Sequence, residues 1–314
     1  MDRTKKALKY IDNNDVGLEI GPLDHPILAK EASNVLYVDH MSLEGLKEKY
    51  KDEPVTLEKI VKPDFVLEKN NLKQATKGKK FDYAIASHVI EHVPDIVTWF
   101  KDISSVLKTD GVLSLIVPDK RYTFDITRNI SRPADIIGAY LDRHDRTTSA
   151  AMFDYAMECR DKINAAEVWA NPSKDYSKKP YYFTRKQAYK MCLDNTKINL
   201  YVDAHCHVFT PRSFVSILDT LIDYDLLSFE VINFEPTAEN DMEFFVSLRK
   251  IDPNKQKQKS SLPKLTREKS AWEMERDLFR KSQLLDKVNN SLSWKLTRPL
   301  RILKSKCNKD IIEI

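Results

Sequence analysis

The side chains best suited to moving a proton are the histidines, seven in the chain, most of them where the sequence pattern puts loops or strand ends. An imidazole titrates near neutral pH and is the natural general base toward a hydroxyl. His205 and His207 stand two apart, so on extended backbone they share a face, and Asp203 adds an acid to it. Such a trio either ligates a divalent metal or leaves one histidine as base, oriented by the acid. The base is the expectation here, with no metal. The plainer alternative is one histidine capping the next helix while the other packs. His144, next to Asp145 in a polar break of a helical stretch, is a further candidate for an acceptor lid. His88 and His92, at i and i+4 with Glu91 beside them, suit a pocket wall better than a base. Asp119, Arg121 and Tyr122 form a polar and aromatic cluster of the kind that receives a sugar, and Tyr181, Tyr182 and Phe183 are further aromatic candidates.

A second constellation suits a nucleotide-like ligand, which needs a close backbone turn, an acid for ribose hydroxyls and a polar partner for the base. Gly21, closing Glu19-Ile20-Gly21, lets the chain pass a ligand with no side chain in the way. Asp39 has the reach of a ribose carboxylate, and Glu68 can accept from an adenine amino group. A phosphate-bearing dinucleotide fits poorly, because Pro22, Leu23, Asp24 and His25 follow Gly21 where a GxGxxG loop would carry its other glycines. Glu19 also favours a cationic group over an anion.

These residues need elements to hold them. Val16–Ile20, Asn34–Val38, Asp64–Leu67, Phe81–Ala86 and Val112–Val117 read as short apolar strands, alternating with helical patterns over Ser42–Tyr50 and Val97–Leu107. The latter should end at an Asp110-Gly111 cap. This alternation predicts βαβ units and a mostly parallel sheet, with the polar clusters at its carboxyl-end crevice. Pro133–Arg160 reads as helix broken at 143–148, Thr184–Asn195 and Pro211–Ile222 as helices, and Tyr201–Phe209 as partly alternating. Ser228–Phe234 and Met242–Arg249 form an antiparallel pair at the edge, completing seven strands. The fold class is therefore α/β, a Rossmann-like seven-stranded sheet with helices on both faces and a helical C-terminal extension.

Charge separates that extension from the body. Residues 251–314 carry 16 Lys and Arg against 8 Asp and Glu, leaving 35 against 39 for residues 1–250. The body therefore offers no nucleic-acid groove. Four scattered cysteines fit a reducing compartment, and neither a signal peptide nor a membrane span is visible, so a cytoplasmic protein is expected. Domain boundaries fall at 1–250 for the α/β domain, 251–263 for a polar linker and 264–314 for a basic amphipathic helical tail.

The stretch Phe81-Asp82-Tyr83-Ala84-Ile85-Ala86-Ser87-His88-Val89-Ile90-Glu91-His92-Val93-Pro94-Asp95, with Asp110-Gly111-Val112-Leu113, resembles the class I S-adenosylmethionine-dependent methyltransferases over about residues 15–250. The resemblance implies S-adenosylmethionine as cofactor, with Glu19 and Gly21 at its methionine end, Asp39 at the ribose, Glu68 near the adenine, and Ser87 and His88 lining the pocket. The glycine-poor loop after Leu18-Glu19-Ile20-Gly21-Pro22 is similar to methyltransferases found near bacterial polysaccharide genes. The tail segment Leu292–Arg301 resembles the ends of bacterial glycosyltransferases and polysaccharide-modifying proteins. Together these imply O-methylation of a saccharide or lipid-linked glycan. They leave the tail to meet a glycosyltransferase, an anionic membrane surface at the inner face, or a second subunit of a homo-oligomer. Two other functions stay open: a non-catalytic cofactor-binding scaffold that recruits glycosyltransferases, and a methyltransferase for a non-sugar small molecule. An NAD-type oxidoreductase is disfavoured by the missing glycines.

Overall fold

A computed structural model of the chain describes residues 2–67, 71–197 and 202–252. Glu68 and the whole basic tail, with its expected helix, lie outside the described residues.

In chain order the elements begin with α1 (Arg3–Ala7), β1 (Val16–Ile20), β2 (Asn34–Asp39), α2 (Leu43–Lys49), β3 (Phe65–Val66), α3 (Leu72–Ala75), β4 (Phe81–Ser87), α4 (Ile96–Val106) and β5 (Leu107–Pro118). There follow α5 (Pro133–Leu141), α6 (Ser149–Glu158), α7 (Ala165–Ala170), α8 (Arg185–Asn195), α9 (Pro211–Asp223), β6 (Phe229–Glu235) and β7 (Glu243–Lys250). The strands form one sheet in the order β3-β2-β1-β4-β5-β7-β6. Strands β3, β2, β1, β4 and β5 run parallel, and β7 lies antiparallel between β5 and β6. This is the Rossmann-like fold expected, with its crevice where β1 and β4 diverge.

The central strands are apolar on both sides because helices cover both sides. One face carries Leu18, Val38, Ala84, Leu113 and Leu115 against Phe100 and Ile103 of α4 and Phe214 and Leu218 of α9. The other carries Tyr83, Ile85, Ile116 and Phe245 against Ala7 of α1 and Ile27. Each large side chain so buried contributes about 1.5–3 kcal/mol relative to exposure. Gly17 makes room for this packing: a Cβ there would lie 1.9 Å from the Tyr83 ring of the neighbouring strand.

Helix ends follow their sequence signals. Asp95 accepts from Thr98 N at the start of α4, Thr184 and Gln187 form a capping box on α8, and Thr210 with Ser213 does the same for α9. Other local expectations are corrected. Strand β5 starts at Leu107 rather than Val112, and the left-handed turn residue is Asp110 (φ +61°), not Gly111. Gly111 is needed for space, since a Cβ would sit 2.9 Å from Lys108 O and 3.0 Å from Asp82 O. Strand β3 shrinks to two residues. Residues 202–209 make no strand, because their donors go elsewhere: His207 N to Glu91 O, and Val208 N to Ser131 Oγ.

Candidate functional site

The carboxyl ends of β1, β2 and β4 converge on one crevice. Gly21, just past β1, has φ +61°, and a Cβ there would come within 3.2 Å of Val89 Cγ2. Position 21 therefore tolerates only glycine without strain or displacement. Buried Asp39 ends β2; its Oδ1 accepts from His40 N at 2.7 Å and lies 2.6 Å from His40 Nδ1. Both contacts fall on Oδ1. Ser87 ends β4, and His88 after it holds a left-handed backbone (φ +53°).

Glu19, expected at the methionine end of the cofactor, is buried near the end of β1. Its two oxygens accept from Ile27 N (2.6 Å) and Leu28 N (3.2 Å), so it pins down the loop that begins at Gly21. Burial outweighs those bonds and the nearby Arg3 charge, and pushes its carboxyl up to about 7.

Helix α1 adds residues that sequence reasoning missed. Arg3 donates to Ser87 Oγ and to Glu243 Oε1, each at 2.7 Å, and Glu243 Oε2 lies 2.8 Å from His88 Nε2. Burial opposes the charge on Glu243, but His88 and Arg3 overcome it and hold the carboxyl at about 2.

Beside His88 opens a cavity of about 660 Å³, walled by Tyr122, Phe124, Tyr182 and Met242, with Glu91, His92, Arg160, Lys162 and His205 among its polar residues. Tyr122 stacks on Trp169 of the α7 region (4.5 Å, 6°), which sets an aromatic face at this site. Asp119, expected near the acceptor, is fully buried and occupied: it accepts from Arg121 and from Thr237 Oγ1 at 2.7 Å. Arg160 also borders a second cavity of about 850 Å³, which holds Arg121, Trp169 and Lys174.

The histidine expectations separate. Asp203 and His205 both meet His92: Asp203 Oδ1 lies 2.8 Å from His92 Nδ1, and the His92 and His205 rings meet edge to face at 4.6 Å. His205 Nδ1 is 2.6 Å from Asp125 Oδ2, and Asp125 also accepts from Arg128. His207 is carried past this group, with its Nε2 3.1 Å from Pro94 O and its Nδ1 3.4 Å from Ser131 Oγ. It is buried and outside the lining of the cavity. His144 sits in the turn after α5, its N bonded to Ala139 O, and does not line the cavity.

Electrostatics follow from this wiring. Burial opposes the charge on Asp125, yet His205 and Arg128 bring its carboxyl down to about 2. Burial likewise opposes charge on His92, but Asp203 and Glu91 outweigh it and raise its pKa. Asp203 is held well below the ordinary carboxylate range by His92, Lys49 and Tyr50 despite its burial. For His207, burial dominates and pushes the ring down to about 4. Lys49 joins the two halves of the site, lying 3.1 Å from His40 Nε2 and 3.6 Å from Asp203 Oδ2.

Comparison with known proteins now bears on this geometry. A methyltransferase domain family matches residues 1–221. The chain belongs to that family. It is a methyltransferase enzyme of the class I type, and S-adenosylmethionine is its cofactor. No curated protein matches the chain. It is similar to an S-adenosylmethionine-dependent methyltransferase of Methanosarcina mazei (17% identity, 77% of this chain and 95% of that one, TM-score 0.38). It is similar also to one from Clostridium acetobutylicum (12%, 80% and 93%, TM-score 0.40) and to the CcbJ methyltransferase of Streptomyces caelestis (11%, 80% and 97%, TM-score 0.40).

The residues present suit this cofactor. The crevice offers a side-chain-free turn at Gly21, a carboxylate at Asp39 for a vicinal diol, and a cation at Arg3 for a carboxylate. Pro22, Leu23, Asp24 and His25 follow Gly21 where a pyrophosphate-binding loop would carry further glycines, and the methyl donor has no pyrophosphate.

Proposed function

We propose that the enzyme transfers the methyl group of S-adenosylmethionine to a hydroxyl of a saccharide, in the synthesis of surface polysaccharide or a related glycan. One observation carries this reading. The 660 Å³ cavity beside Ser87 and His88 joins aromatic walls, including Tyr122 backed by Trp169, to a buried carboxylate, histidines and the cations Arg160 and Lys162. Sugar rings stack on aromatic faces while their hydroxyls need polar partners.

On this reading Gly21, Asp39, Ser87 and His88 hold the cofactor, with Asp39 Oδ2 toward the ribose hydroxyls and Glu68 toward the adenine. Glu19 acts by fixing the loop, and Arg3 meets the methionine carboxylate. The cofactor supplies an electrophilic methyl group on a sulfonium. The chain's part is to set the acceptor hydroxyl against His92 and His205, where its proton is drawn off as the oxygen attacks. Asp125 orients His205, and Asp203 orients His92. Arg160 and Lys162 suit a phosphate or carboxylate on the acceptor, as in a nucleotide-linked or lipid-linked sugar.

Residues 1–250 act as the catalytic domain, 251–263 as a linker, and the basic 264–314 tail as an attachment to an anionic inner-membrane surface or to a glycosyltransferase. None of the described helices is long and apolar enough to cross a membrane. Mass spectrometry of nucleotide-sugar and lipid-linked acceptors, incubated with enzyme and deuteromethyl-labelled cofactor, tests the reading. A labelled saccharide is expected; label appearing only on non-saccharide acceptors would overturn it.

A further inference from the structure

Glu91 is the polar group that the fold has left in an expensive position. The residue is 1% exposed, and neither Oε1 nor Oε2 accepts a hydrogen bond from any described residue or is reachable by water. The nearest cation-forming group, His88 Nδ1, stands 3.8 Å away, beyond hydrogen-bond distance, and its Nε2 is engaged by Glu243. A carboxylate buried without partners costs several kcal/mol unless a cation neutralises it.

The neighbours are those such an ion requires. Glu91, His92 and His205 can each present one ligand atom, and these atoms all lie within 4.8 Å of one another. The two rings stand edge to face (88°), so they approach a common point from different directions. Both histidines stand against a carboxylate: His205 Nδ1 hydrogen-bonds Asp125 Oδ2 at 2.6 Å, and His92 Nδ1 lies 2.8 Å from Asp203 Oδ1 without hydrogen-bond geometry. For His205 that bond fixes the ring and leaves Nε2 as the donor, which is how metal-ligating histidines are commonly supported. The same three residues border the acceptor cavity.

We infer that Glu91, His92 and His205 form a binding site for one divalent transition-metal ion, of the Zn²⁺ class, open on its fourth side to the acceptor cavity. Two histidines and a glutamate are a donor set that suits Zn²⁺ and leaves room for an exchangeable oxygen ligand. Its catalytic use rests on the O-methylation reading above; its existence does not. A hydroxyl on such an ion is acidified. Glu91 serves as a ligand, and the hydroxyl proton leaves to water in the open cavity. The oxygen's electron pair then bonds the methyl carbon, and the carbon–sulfur bond breaks onto sulfur.

The test begins with chelator-stripped full-length protein, titrated with Zn²⁺ by calorimetry and with Co²⁺ by visible absorption. The expected result is one ion per chain. Affinity should fall at least about tenfold in Glu91→Gln and in His205→Ala, and stay unchanged in the control His144→Ala. Circular dichroism checks folding; if Glu91→Gln is unfolded, His92→Gln replaces it. S-adenosylhomocysteine affinity should stay within about twofold across the set. Absence of saturable one-to-one binding, or equal affinity in the ligand variants, overturns the site. Metal binding without saccharide methylation would count against the acceptor reading alone, and methylation persisting in metal-free protein would overturn the ion's catalytic role.

Discussion

Replacing His207 with glutamine should change how folding stability depends on pH in a window that two buried groups dominate. The ring lies in a buried slot, its Nε2 on Pro94 O, and burial lowers its pKa from an ordinary 6.5 to about 4. A group whose neutral form is favoured by folding contributes stability that is full above pH 6.5 and is lost as pH falls toward 4. At about 1.4 kcal/mol per unit, the roughly two units between pH 6.5 and 4.5 are worth about 3 kcal/mol. Glu19 works against it. Its carboxyl, raised by burial from 4.5 to about 7, contributes stability that is full below pH 4.5 and is lost as pH rises through 7. The two slopes are opposite and similar in size, so the wild-type protein should be nearly flat between pH 4.5 and 6.5. Asp125 and Glu243, both held at about 2, act mainly below this window. In His207→Gln only the Glu19 slope remains, and the variant should gain about 3 kcal/mol on acidification from pH 6.5 to 4.5. Urea unfolding of both proteins at those two pH values measures this. Parallel pH dependences would refute the burial argument and return His207 to the candidates for a titrating base.

Three further outcomes follow from named contacts. Gly17→Ala should destabilise the protein by about 2 kcal/mol or more in thermal or urea unfolding, because its Cβ overlaps the buried Tyr83 ring. Asp39→Ala should weaken S-adenosylhomocysteine binding roughly 10- to 100-fold by calorimetry, the worth of a hydrogen bond to a charged group, while leaving the melting temperature nearly unchanged. Asp125→Asn should cost about 3–5 kcal/mol of stability, since it breaks the buried pairings with Arg128 and His205; a loss below about 1 kcal/mol would mean that the Asp125 network is not what holds this region.

The sheet was legible because its strands are apolar runs spaced by amphipathic helices, and the crevice residues Gly21, Asp39 and Ser87 follow directly from strand ends. The acceptor side was less so. Asp125 and Arg128 lie about 80 residues before His205, and nothing local to Phe124-Asp125-Ile126 marks them as its support. Arg3 was hidden in a short charged segment whose helix forms against β5 and β7, with Ser114 Oγ donating to Ala7 O. Its reach to Ser87 is a tertiary fact. His205 and His207 are expected to share a face with Asp203, but their segment pairs with the 90–94 loop instead of the sheet, so His205 reaches the cavity and His207 packs. In the sequence Glu91 stands out only as a neighbour of His92; its isolation from hydrogen bonds is visible only once the chain is folded.

The central claim divides the site into a cofactor crevice at Gly21 and Asp39 and an acceptor cavity at Tyr122. Steady-state transfer of labelled methyl to a saccharide acceptor, compared for wild type, Asp39→Ala and Tyr122→Ala, tests it most directly. Asp39→Ala should raise KM for S-adenosylmethionine and leave that for the saccharide nearly unchanged, and Tyr122→Ala should do the reverse by about tenfold, the worth of a lost aromatic contact of about 1.4 kcal/mol. Both substitutions raising the same KM, or Tyr122→Ala leaving the saccharide KM unmoved, would contradict the account.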